Sequence, residues 1–167
     1  QMRKLLELQT WCRSQRTILL VEVVIMRRDE NEEEFEGIGR PRLLASMIRE
    51  SYRRGLVPDI WKIEGTASKE GAALIDVAIR ERPEPRQVIL GKGADQATIA
   101  QWFAVAAPLP STSGFAIGRS VFWDPGTAYL TGKISAADAT EAMTSAYLAL
   151  IAQWHQSTHE STVRTTQ

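Results

Sequence analysis

The chain alternates short apolar runs with longer amphipathic stretches. Residues 17–25 (TILLVEVVI) are almost wholly apolar and rich in β-branched side chains, which is how a strand buried on both faces reads. Shorter strand-like runs follow at 58–64 (PDIWKIE), 87–90 (QVIL) and 114–117 (GFAI). None is joined to the next by the Asn-Gly or Asp-Gly of a tight hairpin, and each gap is long enough for a crossover helix.

Helical periodicity fills the gaps. Over residues 41–54, Leu43, Leu44, Met47, Ile48 and Tyr52 share one face, and Gly55 stands where a helix C-terminus would stop. Ser68 is placed to cap a helix to about residue 81, with Ala72, Ile75 and Ile79 inward. Asp95 is placed to cap another, whose stripe is Ile99, Trp102, Phe103 and Ala106. Asp124-Pro125 reads as the opening of a short helix, with proline at its first position. Ser135 caps the longest, through Leu150 and Trp154. Residues 157–167 are rich in Ser, Thr and Gln without apolar period, so they are expected to be a disordered tail behind one domain, 1–156.

Such alternation implies an α/β fold with a parallel sheet and helices packed outside it. A small doubly wound sheet fits, and so does a piece of a (β/α)8 barrel, which needs at least ~200 residues when complete. Spacing does not choose between them.

Composition narrows the function classes. The 167 residues are 44% hydrophobic and 24% charged, as in ordinary globular domains. Twenty basic residues balance twenty acidic ones, so the overall charge favours neither nucleic acid nor an anionic membrane. One cysteine, Cys12, excludes an internal disulfide and fits a reducing compartment. No apolar stretch reaches the ~20 residues that span a bilayer, and the start shows no signal-peptide pattern. The expected location is the cytoplasm. The opening Gln-Met-Arg-Lys already reads as helix, so the chain is expected to be cut from something longer.

In α/β folds reactive groups gather at the C-terminal ends of strands. Those ends carry Glu22, Lys62 with Glu64, Gly91-Lys92-Gly93 and Gly118-Arg119-Ser120. Lys62 lies between Trp61 and Ile63 in a strand otherwise fit for burial. Imine chemistry requires an amine that sheds its proton below the ordinary lysine value of about 10.4. A lysine of the outward face, reaching solvent between helices, fits the spacing equally well. Glu22 lies amid Leu20, Val21, Val23 and Val24, either as an acid/base or as the partner of a cation such as Lys62. The two glycine-containing segments follow strands and precede helix starts, where backbone N–H groups and a Lys or Arg fork hold anions. His155 and His159, four apart near the tail, read as non-functional, so no metal site and no cofactor are expected.

Three segments add a resemblance. Pro58-Asp-Ile-Trp-Lys-Ile-Glu-Gly65, Gln87-Val-Ile-Leu-Gly-Lys-Gly93 and Gly114-Phe-Ala-Ile-Gly-Arg-Ser-Val-Phe-Trp123 resemble the aldolase-like domain fused behind 5-dehydro-2-deoxygluconokinase in bacterial inositol catabolism. That domain is held to be a 2-deoxy-5-keto-gluconate 6-phosphate aldolase, related to class I tagatose-bisphosphate aldolases. The resemblance runs from about residue 3 to Gln156 and implies the last four β/α units of a TIM (β/α)8 barrel. It makes Lys62 the Schiff-base lysine of a lyase, Glu22 its acid/base carboxylate, and Gly91, Lys92, Gly93, Gly118, Arg119 and Ser120 the holders of the substrate phosphate. Lys92 falls where the related enzymes vary. The acidic segment 27–40 (Asp29, Glu30, Glu32, Glu33, Glu34, Glu36) would be a loop over the mouth of the site, although a merely solvated loop is the preferred reading.

The family's first four strands, with a second active-site lysine, have no counterpart in these residues. The expected partners are therefore a phosphorylated sugar substrate and either a second copy or the absent N-terminal half-barrel. A competing expectation is a non-catalytic half-barrel that binds phosphate or assembles with a partner half. The parent could also carry the kinase's name through fusion, although this chain has no kinase-like nucleotide motif.

Overall fold

A computed structural model describes residues 1–29 and 31–164, without the side chains of 160–164. Each apolar run forms a strand. β1 (Leu20–Val23), β2 (Ile60–Glu64), β3 (Arg86–Leu90) and β4 (Thr112–Ala116) make one parallel sheet in the order β1-β2-β3-β4. α1 (Met2–Ser14) precedes it. α2 (Glu32–Glu34), a π-helical turn (Phe35–Gly39) and α3 (Arg40–Arg53) connect β1 to β2, α4 (Lys69–Ile79) connects β2 to β3, and α5 (Gln96–Ala106) connects β3 to β4. α6 (Arg119–Leu130) and α7 (Ala136–Arg164) follow. Strand order equals chain order, so the sheet lacks the reversal around which a doubly wound sheet is built. The arrangement is consistent with half of a (β/α)8 barrel.

Register decides which side chains meet. Val21, Trp61 and Gln87 form one row, and Val23, Ile63, Ile89 and Phe115 another. These rows face the helices. Trp61 and Ile63 pack with Cys12 of α1, Leu44 and Ile48 of α3, and Ile75 and Ile79 of α4. Ile89 packs with Ile99, Trp102 and Phe103 of α5 and Leu150 of α7. Because successive strand residues alternate sides, the other rows point away from this core. They are Leu20 with Ile60 and Arg86, Glu22 with Lys62 and Val88, and Glu64 with Leu90 and Ala116. Leu20 and Glu22 on that side are exposed.

The expected caps form. Ser68 Oγ accepts from the Gly71 N–H at 3.0 Å, and Asp95 Oδ1 accepts from the Thr98 N–H at 2.8 Å. Ser135 Oγ accepts from the Asp138 N–H at 3.1 Å while Asp138 Oδ2 accepts from the Ser135 N–H at 3.1 Å, a reciprocal capping box. Gly55 ends α3 with φ +86, a conformation that favours glycine.

Other expectations are corrected. α6 begins at Arg119, not at Asp124, because the Gly118 carbonyl accepts from the Val121 and Phe122 N–H groups (2.8 and 3.1 Å) and completes a turn before the proline. Pro125 therefore sits inside the helix. Residues 157–164, expected to be disordered, continue α7, and 165–167 lie outside the described residues. The acidic segment is largely helical from Glu32 onward, its start capped by Asn31 Oδ1 accepting from the Glu34 N–H at 3.2 Å; Glu30 lies outside the described residues. Leu43, expected on the buried face, is exposed.

A buried polar pair crosses the larger core. The Trp61 indole N–H donates to the Tyr52 hydroxyl, and that hydroxyl donates to the Ile79 carbonyl, both at 3.1 Å. Replacing Tyr52 by Phe is expected to cost about 1–3 kcal/mol in urea melts, since the indole N–H loses its acceptor. Burial holds the Tyr52 hydroxyl above its ordinary value of 10.0. The folded state thus keeps the phenol proton more tightly than the unfolded state. That stabilisation is complete below pH ~10 and declines as pH rises through the higher folded value. The Phe variant is expected to lose this part of the alkaline sensitivity.

Candidate active site

Glu22 and Lys62 are direct partners across β1 and β2. In a parallel pair such partners project to the same side, here the side away from the helices. The Lys62 ammonium lies 2.8 Å from Glu22 Oε2, with the lysine side chain 23% exposed and the glutamate 43%. The amine is thus shielded but reachable, and bonded to a carboxylate that could take its proton.

Two residues further along β2, Glu64 points to the same side. Its carboxylate is buried and meets the Lys92 ammonium at 3.0 Å. Lys92 stands in a tight turn. The Ala94 N–H donates to the Gly91 carbonyl at 2.8 Å, and Lys92 and Gly93 take φ of +52 and +83. The turn thus fits a primed β-turn with two left-handed residues. Gly91 serves packing, because a Cβ there would lie 2.9 Å from Ile117.

The loops after β3 and β4 are tied together. Arg119 Nη2 donates to the Lys92 carbonyl at 3.3 Å, and Ser120 Oγ donates to the Ala94 carbonyl at 2.8 Å. Between them opens a cleft of about 520 Å³, lined among others by Lys92, Gly93, Arg119, Ser120 and Trp123. Asp95 and Asp124 line it too, so its cations are not unopposed. The Thr98 N–H bond holds the Asp95 carboxyl below the usual range. Gly91 and Gly118 shape the turns behind this cleft and do not line it.

A second cleft of about 520 Å³ adjoins the first through Lys92, Gly93 and Ala94, and is bordered by Glu36, Arg40, Glu64 and Trp102. Arg40 was not legible as a site residue. It is 1% exposed, and its guanidinium donates to the Glu64 and Gly65 carbonyls (3.1 and 2.8 Å) and pairs with Glu36 at 2.7 Å. A charge so buried survives only when its donors are used. Its use here is to fix the end of β2, just past Lys62 and Glu64. The available signals were the four-residue spacing of Glu36 and Arg40, and the two-residue spacing that puts Glu64 on the side of Lys62.

The structure therefore joins Glu22 to Lys62, and the 91–93 turn to the 118–120 loop. Neither Lys62 nor Glu22 lines either cleft. Among the described residues no group of three or more His, Cys, Asp or Glu could hold a metal ion, and no helix is long and apolar enough to cross a membrane.

No curated protein matches the chain. Residues 1–158 match the family described as "Uncharacterized protein conserved in bacteria (DUF2090)", and the chain belongs to that family.

Proposed function

We propose that this chain is the reactive half of a Schiff-base aldolase, a lyase on a TIM-barrel plan that acts on a phosphorylated keto sugar acid. The observation that carries this reading is the Lys62–Glu22 pair, 2.8 Å apart on the side of the sheet away from the helices. Glu22 takes the ammonium proton, and the freed Lys62 amine adds to the substrate's keto carbon. The carbinolamine loses water, with Glu22 returning the proton to the departing hydroxyl. The protonated imine then draws in the electron pair of the carbon–carbon bond being broken, while a base takes the proton of the hydroxyl that becomes the aldehyde. The enamine left behind gains a proton at carbon and is hydrolysed, releasing the second fragment and Lys62. The resemblance supplies the setting, cytoplasmic inositol and carbohydrate catabolism, and calls for no cofactor.

The substrate phosphate would sit in the Arg119–Ser120 cleft. Arg119→Ala is expected to weaken binding of phosphorylated ligands roughly 10- to 100-fold, as for a charged hydrogen bond, and to leave their dephosphorylated forms little changed. Equal loss for both in calorimetric titrations would make Arg119 a brace for the Lys92 turn instead.

One observation favours a second reading, a half-barrel that binds phosphate or assembles without turnover: Lys62 and Glu22 line neither cleft and satisfy each other's charge. Reductive trapping separates the two. With dihydroxyacetone phosphate and borohydride, the lyase reading expects a covalent adduct on the peptide that contains Lys62. The second reading expects none.

A further inference from the structure

The reaction above leaves the cleft bordered by Glu64 and Trp102 unused, although its 520 Å³ or so falls within the ~300–1,000 Å³ of small-molecule sites. Its most buried acid is Glu64, whose side chain is 7% exposed and meets the Lys92 ammonium at 3.0 Å. An ammonium has three donors and a carboxylate about four acceptor sites, so one contact leaves both able to bond a ligand. Gln101 and Trp102 of α5 border the same space. Gln101 is exposed, and its side-chain amide has no hydrogen-bond partner among the described residues. Lys92 is the informative residue. It keeps φ +52 in a turn that glycine would enter at lower cost. Among the described residues it is also the only charged one that borders both clefts.

We propose that this cleft binds the hydroxyl-bearing carbon chain of an acyclic sugar phosphate, with the hydroxyls bonded to Glu64, Lys92 and Gln101. It rests on the reading above only for the place of the phosphate, in the Arg119–Ser120 cleft. Charge speaks against a second anion here. Glu32, Glu36 and Glu64 face Lys92 and Arg40, and the Arg40 guanidinium is spent on Glu36 and two carbonyls. A cationic ligand would have to displace Lys92 from Glu64 and break a largely buried pair. Among the described residues no three acids converge as metal ligands. What fits is a neutral chain carrying both donors and acceptors, and each hydroxyl offers both. The Trp102 ring gives its carbons an apolar wall. A lysine at the boundary serves both ends of such a ligand, which gives the cost of its backbone a purpose.

Calorimetric titration of the whole chain with glycerol 3-phosphate and with glucitol 6-phosphate reads the site. Neither ligand has a keto group, so imine chemistry does not enter. The six-carbon ligand is expected to bind at least about tenfold tighter than the three-carbon one, as for an added hydrogen bond to a charged group. Gln101→Ala is expected to cut that ratio about threefold, and Glu64→Gln about tenfold. Gln101 is exposed, so its variant keeps the fold even if Glu64→Gln does not. Arg119→Ala keeps the two readings apart. With the phosphate in its cleft, both ligands weaken alike and the ratio stands. Unchanged affinity for both in that variant sinks the phosphate placement, while a ratio that still falls in Gln101→Ala upholds the hydroxyl site. Equal wild-type affinities, no binding of either ligand, or a ratio that both Gln101→Ala and Glu64→Gln leave intact would overturn the proposal.

Discussion

With Lys62 replaced by alanine, borohydride is expected to fix no ketone phosphate to the chain. Imine formation needs a primary amine at that point, and among the described residues the Lys92 ammonium is turned to Glu64 at 3.0 Å. Lys62→Arg is the sharper control, since it keeps a cation for Glu22 but no amine able to form an imine at neutral pH. Both variants are expected to fold. Glu22 is 43% exposed and Lys62 23%, so solvent partly screens the pair, and its loss is expected to cost on the order of 1 kcal/mol. Glu22→Gln keeps the nucleophile and removes the proton acceptor, so trapping is expected to persist at an initial rate about 10²–10⁴-fold lower. Intact-protein mass spectrometry after reduction reads all three variants. An adduct that survives Lys62→Arg would place the chemistry elsewhere, and undiminished trapping in Glu22→Gln would leave the carboxylate a purely structural partner.

Gly65→Ala is expected to be the most damaging single methyl. A Cβ there would stand 2.5 Å from two atoms of the Trp102 ring and 2.6 Å from a third. The ring belongs to the cluster of Ile89, Ile99, Phe103 and Leu150, so it has little room to retreat. The backbone at Gly65 is held as well, by the Arg40 guanidinium on its carbonyl at 2.8 Å. Overpacking of this kind costs about 3 kcal/mol, a large share of the 5–15 kcal/mol typical of a domain. In a chain of this length that lowers the melting temperature by roughly 6–12 °C. A melting curve that overlays the native one would mean that the ring can turn aside and that the contact between β2 and α5 is loose.

Strand positions and most helix starts were legible because they are local. Apolar β-branched runs mark β1 and β2, and Ser68, Asp95 and Ser135 each cap through a side chain three residues from its partner. The stripe Ile99, Trp102, Phe103 and Ala106 was legible for the same reason, and all four are buried. Meetings set by register were not. Nothing near Glu22 or Lys62 states that β1 and β2 align them, so a shared ion pair stayed one option among several. Arg40 looked like the end of a solvated acidic loop, because the carbonyls that need its donors lie 24 and 25 residues away. The start of α6 was misplaced by trusting Pro125 as a first-turn residue, when Gly118 had already furnished the acceptor for an earlier turn.

Chain-order pairing also bears on how the protein is made. Strands join only their immediate predecessors: Leu19 bonds to Asp59 over a separation of 40 residues, and Ser113 to Gln87 over 26. No strand has to be threaded between two that already exist. During synthesis each β/α unit is therefore expected to dock on the one before it as it leaves the ribosome. Pulse-labelled nascent chains ending shortly after residue 110 are expected to resist protease up to α4 while β3 is still waiting for its second neighbour.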